Sequence, residues 1–263
     1  MTDLEENMKT RIKIKAVIVM LIVMACFGIS KKSNAADKYL NNSNVDMPKT
    51  INGISFVAKR YEETDKYKIV MKKNGITKII AKNTTCDFTT NGKLVYYCKI
   101  KKKINSYETK NCIYKYDIKT GKKRKILSGR QYTVRGCSGR YLYCGIDEVA
   151  DGIKLYSYDL KQKKKKYMIS IVGSVAVYGK YVVTSTLSGD AGNSPINCFK
   201  LNGTGKKKIC DGSFLKAEKG KLYYYVVRES DWKNKIYTCS FNGKNKKAIT
   251  GWIKRIPDKY WGK

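Results

Sequence analysis

The side chains able to do chemistry are unevenly supplied in this chain of 263 residues: histidine is absent, lysine and arginine together number 55, aspartate and glutamate 21, and cysteine 9. Without an imidazole, a Ser-His-Asp triad, a Cys-His dyad, a histidine general base and a histidine-ligated zinc are all excluded. What remains is mainly electrostatic. Basic residues recur in runs, at Lys122, Lys123 and Arg124, at Lys163, Lys164, Lys165 and Lys166, at Lys206, Lys207 and Lys208, and at Lys246 and Lys247. With a formal charge of +34 the chain favours polyanionic neighbours: anionic wall polymer, nucleic acid or acidic lipid head groups. The same lysines would also serve as solvated turn residues that keep exposed strand edges from pairing, and charge alone does not choose between the two roles.

Acids gather elsewhere, around Glu62, around Asp147, Glu148 and Asp151, and at Asp190 and Asp231. Asp147, Glu148 and Asp151, or Asp190 with Asn193, offer oxygens to a hard cation, but neither group completes a loop such as the twelve-residue EF-hand arrangement. No metal and no cofactor are therefore expected. A pair of carboxylates from these loops would be the starting point for glycoside hydrolysis, although their spacing does not favour it. Trp232 and Tyr107 lie in the same acidic segments and would offer aromatic faces to a ligand.

The first 35 residues read as a leader. Residues 8–15 are basic, residues 16–29 form an apolar run shorter than a spanning helix requires, and Ser33-Asn34-Ala35-Ala36 supplies small residues for cleavage after Ala35. Acids before Met8 suit a leader poorly, so Met8 is a second candidate start. Val23-Met24-Ala25-Cys26 loosely matches a lipoprotein box, and acylation of Cys26 would tie the chain to a membrane. The expected destination is outside the cell or at its surface.

Beyond a linker at 36–49 the chain repeats itself. A glycine followed by an apolar, mostly tyrosine-rich segment occurs at Gly53, Gly92, Gly139, Gly179 and Gly220, at spacings of 39, 47, 40 and 41 residues. A second motif follows each of the last four glycines, as in Ile113-Tyr114-Lys115-Tyr116-Asp117-Ile118, Leu155-Tyr156-Ser157-Tyr158-Asp159-Leu160, Ile196-Asn197-Cys198-Phe199-Lys200-Leu201 and Ile236-Tyr237-Thr238-Cys239-Ser240-Phe241, with a weaker copy at 67–71. Each then runs through a turn and a lysine cluster to a short apolar end. Gly-containing turns between β-branched and aromatic runs predict hairpins, so each unit reads as four short antiparallel strands, A to D. Such a sheet cannot bury both faces by itself, and radial stacking solves the problem. The predicted fold is an all-β propeller of about five four-stranded blades, at 50–82, 83–129, 130–170, 171–211 and 212–250. A partial repeat at 251–263, with 252–256 as a further A strand, leaves a six-bladed pattern lacking one blade as the alternative.

The pattern Gly-Lys-x-apolar-Tyr, then Ile/Leu-Tyr-x-x-Asp-Leu, then Lys-Lys-x-Ile, over residues 50–256, resembles exported bacterial propellers of unknown function that are similar to the YWTD propeller of the low-density-lipoprotein receptor. No intact Tyr-Trp-Thr-Asp occurs, so receptor ligand sites do not carry over. The resemblance implies the fold and says little about activity.

Topology turns the repeat into a charge map. A–B and C–D turns leave one end of every blade, whereas B–C loops and D–A connections leave the other. The lysine runs are assigned to the C–D end and Glu62, Asp147, Glu148 and Trp232 to the B–C end, whose second loop, at 99–111, is the longest. The expected function is extracellular, non-catalytic binding or scaffolding, with the basic end on an anionic wall polymer and the other end free for a protein partner. Alternatives are an exported carbohydrate-active enzyme working through the acidic loops and a nucleic-acid-binding surface protein. Eight cysteines follow the leader. Register leaves Cys137 with Cys144, Cys198 with Cys210, and Cys98 with Cys112 or Cys86 open as pairs, beside the alternative of buried free thiols.

Overall fold

The computed structural model describes residues 40–41, 49–61, 66–105, 108–148, 152–170, 172–186 and 193–261. The leader, the Cys26 box, Glu62, Tyr107, Asp151 and Asp190 lie outside the described residues.

Strand formation follows the repeat. A two-residue strand β1 (Leu40–Asn41) precedes the first blade, which consists of β2 (Lys49–Ile51), β3 (Ile54–Arg60), β4 (Tyr67–Lys73) and the first half of β5 (Ile76–Thr90). Asn52 and Gly53 join β2 to β3 with φ of 50° and 72°, and Asn74 and Gly75 join β4 to β5 with 48° and 77°. Both turns need two consecutive left-handed residues, which is why Asn-Gly stands there.

Strand β5 serves two blades. Its first half pairs with β4 and its second half with β6 (Leu94–Lys103), with β1 on its other side at Thr89 and Thr90. Between the halves Asn83 takes a φ of 56°, and the buried Thr84 hydroxyl donates to the Tyr67 carbonyl at 2.9 Å. The chain therefore bends at Asn83 without leaving the ladder. The second blade continues through β7 (Thr109–Asp117) and β8 (Lys123–Arg130).

The remaining blades are separate four-stranded antiparallel sheets in sequence order. They comprise β9 (Tyr132–Ser138), β10 (Tyr141–Glu148), β11 (Gly152–Asp159) and β12 (Lys164–Ile169); β13 (Val172–Tyr178), β14 (Tyr181–Thr186), β15 (Pro195–Lys200) and β16 (Lys207–Asp211); and β17 (Ser213–Glu218), β18 (Lys221–Arg228), β19 (Lys233–Ser240) and β20 (Lys247–Ala248).

Consecutive blades stack face to face, which explains why the B strands carry unbroken apolar runs rather than alternating ones. Neighbouring residues on one B strand serve different interfaces. Tyr97 packs back against the first blade with Phe56, Ile69 and Phe88, while Tyr96 packs forward onto the third with Ile113, Val134 and Leu142. Tyr143 and Val182 then share the next interface with Leu155, Val172 and Phe199, and Val183 shares the last with Leu222, Tyr224 and Phe241.

The Asp of the second motif has a local purpose. Asp117 Oδ1 accepts the Thr120 N–H at 2.8 Å, and Asp159 Oδ1 accepts the N–H groups of Lys161 and Gln162 at 2.9 and 3.0 Å. These bonds hold both carboxyls below the usual carboxylate range, with the Arg140 guanidinium 2.9 Å from Asp159 adding to the effect there. In the fourth and fifth blades Asn202 and Asn242 take over, accepting from Thr204 N–H and Lys244 N–H. In these four blades the motif or the residue that follows it thus encodes the C–D turn.

At the C-terminus the sequence expectation of a further A strand at 252–256 is corrected. Ile253 exchanges backbone hydrogen bonds with Asn234 of β19 at 2.7 and 2.9 Å, so this segment extends the outer edge of the fifth blade. The chain then crosses that blade's forward face, where Ile256 is buried against Leu215 and Ile236 and Tyr260 packs on Tyr223. A single 3-10 turn, Asp258–Tyr260, holds the crossing. Among the described residues four of the five buried clusters lie between consecutive blades, and the other lies between the fifth blade's forward face and this tail. No helix among the described residues is long and apolar enough to cross a membrane.

Candidate functional site

The twelve basic residues singled out in the sequence are all exposed. Lys122, Lys163, Lys206 and Lys246 lie in the C–D turns, as expected. Lys123, Arg124, Lys164, Lys165, Lys166, Lys207, Lys208 and Lys247 instead belong to the outer strands β8, β12, β16 and β20. The positive charge therefore runs along the rims of four successive blades as well as their turn ends. The outer strand tolerates it because each D strand has a ladder partner on one side only, and lysine there discourages pairing with another sheet.

Three of the twelve are engaged within the protein. Lys165 Nζ sits 4.4 Å from the centroid of the Tyr156 ring and 3.4 Å from the Tyr132 hydroxyl, and Lys246 Nζ sits 5.0 Å from the Tyr237 ring. Their stems lie on tyrosine faces, with the ammonium groups drawn by the ring quadrupoles. Lys208 pairs with Asp211 at 2.7 Å.

At the B–C end, each described acid of this set that forms an ion pair does so within its own blade. Glu148 pairs with Lys154, which stands opposite Ile146, two positions along the β10–β11 ladder. Asp231 receives Arg228 Nε at 2.8 Å and Lys233 Nζ at 3.1 Å, contacts that hold its carboxyl well below the usual range, the Arg228 bonds first. Asp147 is half-buried, and its backbone N–H donates to the Gln131 carbonyl at 3.1 Å. Trp232, 68% exposed, occupies the tip of the fifth hairpin with a φ of 54°, while Trp252 lies under the Arg228 guanidinium at 4.5 Å. Among the described residues no group of three or more Cys, Asp or Glu is placed to hold a metal ion.

Sequence reasoning did not name a further basic site. A groove of about 410 Å³ is lined by Lys102, Ile104, Lys110, Gly129 and Arg130, at the B–C end of the second blade. Lys102 stands opposite Lys110 in the β6–β7 ladder, and Lys110 stands opposite Arg130 in the β7–β8 ladder. Opposed residues share a sheet face, so three cations form one row across three strands. Glu108 approaches Arg130 at 3.8 Å. The walls are held by backbone and side-chain bonds: Thr109 N–H donates to Gln131 Oε1 and Gln131 N–H to the Thr109 carbonyl, both at 3.0 Å, and Ile104 N–H donates to the Glu108 carbonyl at 2.8 Å. The length of the 99–111 segment was the signal; the register that aligns its lysines with Arg130 was not legible.

All eight cysteines of the described blades are free, and every one but Cys86 is buried. Register explains why three of the four candidate pairs do not form. Cys137 faces Leu142 rather than Cys144, Cys210 faces Ile196 rather than Cys198, and Cys112 faces Lys99 rather than Cys98. Burial pushes the thiols of Cys137, Cys144 and Cys210 up to about 12, leaving them protonated and unreactive near neutral pH.

Neither a protein-family model nor a curated protein sequence matches the chain. Solved structures do, and they are β-propellers. The β-propeller domain of the Trilobed protease from Pyrococcus furiosus, described as having an open velcro topology, matches with a TM-score of 0.54 at 14% identity, covering 81% of this chain and 71% of that one. A prolyl endopeptidase (TM-score 0.55, 14% identity) and the acylaminoacyl peptidase of Pyrococcus horikoshii (0.53, 17%) cover 85% and 83% of this chain. This chain spans only 40% of each of those two peptidases. At such identities the likeness is one of fold.

Proposed function

We propose that this protein is a non-catalytic binding or scaffolding propeller, exported from the cell, that attaches through its basic rim to an anionic polymer of the cell surface. One observation carries the reading. Of the twelve candidate cations, nine are exposed with neither an acid nor a tyrosine ring engaging them among the described residues, and they recur on successive blades at equivalent positions. At the B–C end, Glu148 and Asp231 form ion pairs inside their own hairpins instead. A repeated row of unpaired ammonium groups suits a repeating polyanion, because every contact releases counterions and the contacts add along the polymer.

The test is sedimentation of the full chain with purified cell wall, double-stranded DNA and neutral polysaccharide across a salt series. Wall binding that falls steeply between low and moderate salt is expected, weakened further in the Lys163→Gln/Lys164→Gln/Lys166→Gln variant. Stronger retention on DNA would make nucleic acid the partner. Salt-independent retention on neutral polysaccharide would remove the rim from the mechanism and direct attention to Asp147, Glu148 and Trp232, the ground on which a carbohydrate-active enzyme would have to be argued.

A further inference from the structure

From the row of cations across the second blade, we infer a preformed binding site for an oligophosphate that uses none of the twelve rim cations. Like charges placed directly opposite one another in an antiparallel ladder destabilise the pair, and here the arrangement occurs twice in succession, Lys102 against Lys110 and Lys110 against Arg130. A single such pair on a solvated surface needs no explanation. Two sharing a central lysine, at the edge of a groove and with one described acid 3.8 Å from the far member, concentrate repulsion that a multivalent anion would relieve.

Geometry selects the class of anion. Adjacent strands lie about 4.8 Å apart, so the row extends roughly 10 Å from Lys102 to Arg130. One inorganic phosphate meets two members of such a row at most, whereas linked phosphates reach all three. Arg130 supplies a planar fork suited to two oxygens of a terminal phosphate, and the lysines supply point charges for the rest. Ile104, 39% exposed, and the backbone of Gly129, which is backed by the Tyr132 ring, line the groove beside the cations. The Thr109–Gln131 bonds fix the start of β7 against the end of β8, so the cations are held in register before any ligand arrives.

The site is tested with inorganic tripolyphosphate, using inorganic phosphate as the short control. Calorimetry and the thermal unfolding midpoint of the full chain are both read at low salt. Tripolyphosphate should bind and raise the midpoint. Lys110→Gln should weaken binding roughly tenfold or more, the loss of one charged hydrogen-bonding partner, while raising the midpoint of the ligand-free protein because the repulsion is gone. Glu108→Gln should move affinity the opposite way. The rim variant Lys163→Gln/Lys164→Gln/Lys166→Gln should bind tripolyphosphate as the parent does, so this site and the rim stand or fall separately. No binding by the parent, equal affinity in Lys110→Gln, equal affinity for phosphate and tripolyphosphate, or equal weakening in the rim variant would each overturn the assignment.

Discussion

The second and fifth blades are copies of one repeat, and they differ at two places where the repeat leaves the outcome open. Ile113 and Ile236 hold the same position in the C strand and neither is exposed. Ile113 is enclosed by a neighbouring sheet, among Tyr132, Leu142 and Cys144, while Ile236 is enclosed by the C-terminal tail through Ile256. At the B–C ends, Arg228 opposes Lys233 with Asp231 bonded to both, while Lys102, Lys110 and Arg130 form a row that Glu108 meets only at its end. The strand core is thus common property of the repeat, while its neighbours and its hairpin charges are set blade by blade. Stability should follow the first difference and ligand binding the second.

The largest effect separates sheet from tail. Ile113→Ala should cost about 4 kcal/mol and Ile236→Ala about 2–3 kcal/mol in urea unfolding, since a cavity between two hydrogen-bonded sheets collapses less than one beneath a segment tied to its blade by a single bridge. Equal losses would mean that the tail packs as rigidly as a blade. That result would recast residues 252–261 as a true structural substitute for a sixth sheet.

How much of this was readable beforehand depends on which interaction decides. The blades were legible because their signal is local: glycine turns, apolar B strands and the Asp117 and Asp159 turn motif all lie within one repeat. The fate of 252–256 was not, because its apolar residues suit an inner strand and an outer edge equally well, and hydrogen bonding between Ile253 and Asn234 settled the matter. The lysine runs were legible as exposed. That Lys165 and Lys246 rest on tyrosine rings, and that Lys102, Lys110 and Arg130 align, depends on cross-strand register. Register shifts occur between Ile100 and Lys102 and again between Ile113 and Tyr114, and a bulge leaves no mark in a sequence of lysines.

Glycine 129 offers an intermediate test of the second blade's groove. A Cβ there would lie 2.5 Å from Cε2 of the buried Tyr132 ring, while one at Gly251, near the fifth blade's edge, would meet nothing within 4 Å. Gly129→Ala should therefore cost about 1–3 kcal/mol by overpacking and weaken tripolyphosphate binding by displacing the groove floor. Gly251→Ala should stay within about 0.5 kcal/mol of the parent. An unaltered Gly129→Ala protein would show that the Tyr132 ring swings aside freely, and the groove would then lack the preformed floor its affinity relies on.

The smallest effect concerns Asp231 and pH. Bonds from Arg228 and Lys233 hold this carboxyl below the ordinary range, so between the unfolded value near 4 and its folded value the unfolded chain binds the proton and the folded chain does not. Its contribution is therefore complete above about pH 4 and is lost as the pH falls through the folded pKa. Amide exchange in 226–235, corrected for intrinsic rates, should show protection declining in acid below pH 4, and Asp231→Asn should show the reduced protection already at neutral pH. The same substitution leaves Arg228 facing Lys233 across the ladder with no acid between them, which is the condition of the second blade's row. If unrelieved repulsion is what creates an anion site, Asp231→Asn should acquire measurable, weaker affinity for tripolyphosphate at the fifth hairpin, detectable as quenching of Trp232 and Trp252. Loss of protection without any gain in affinity would show that opposed cations alone are insufficient, and that the groove walls built by Ile104, Gly129 and the Thr109–Gln131 bonds supply the rest.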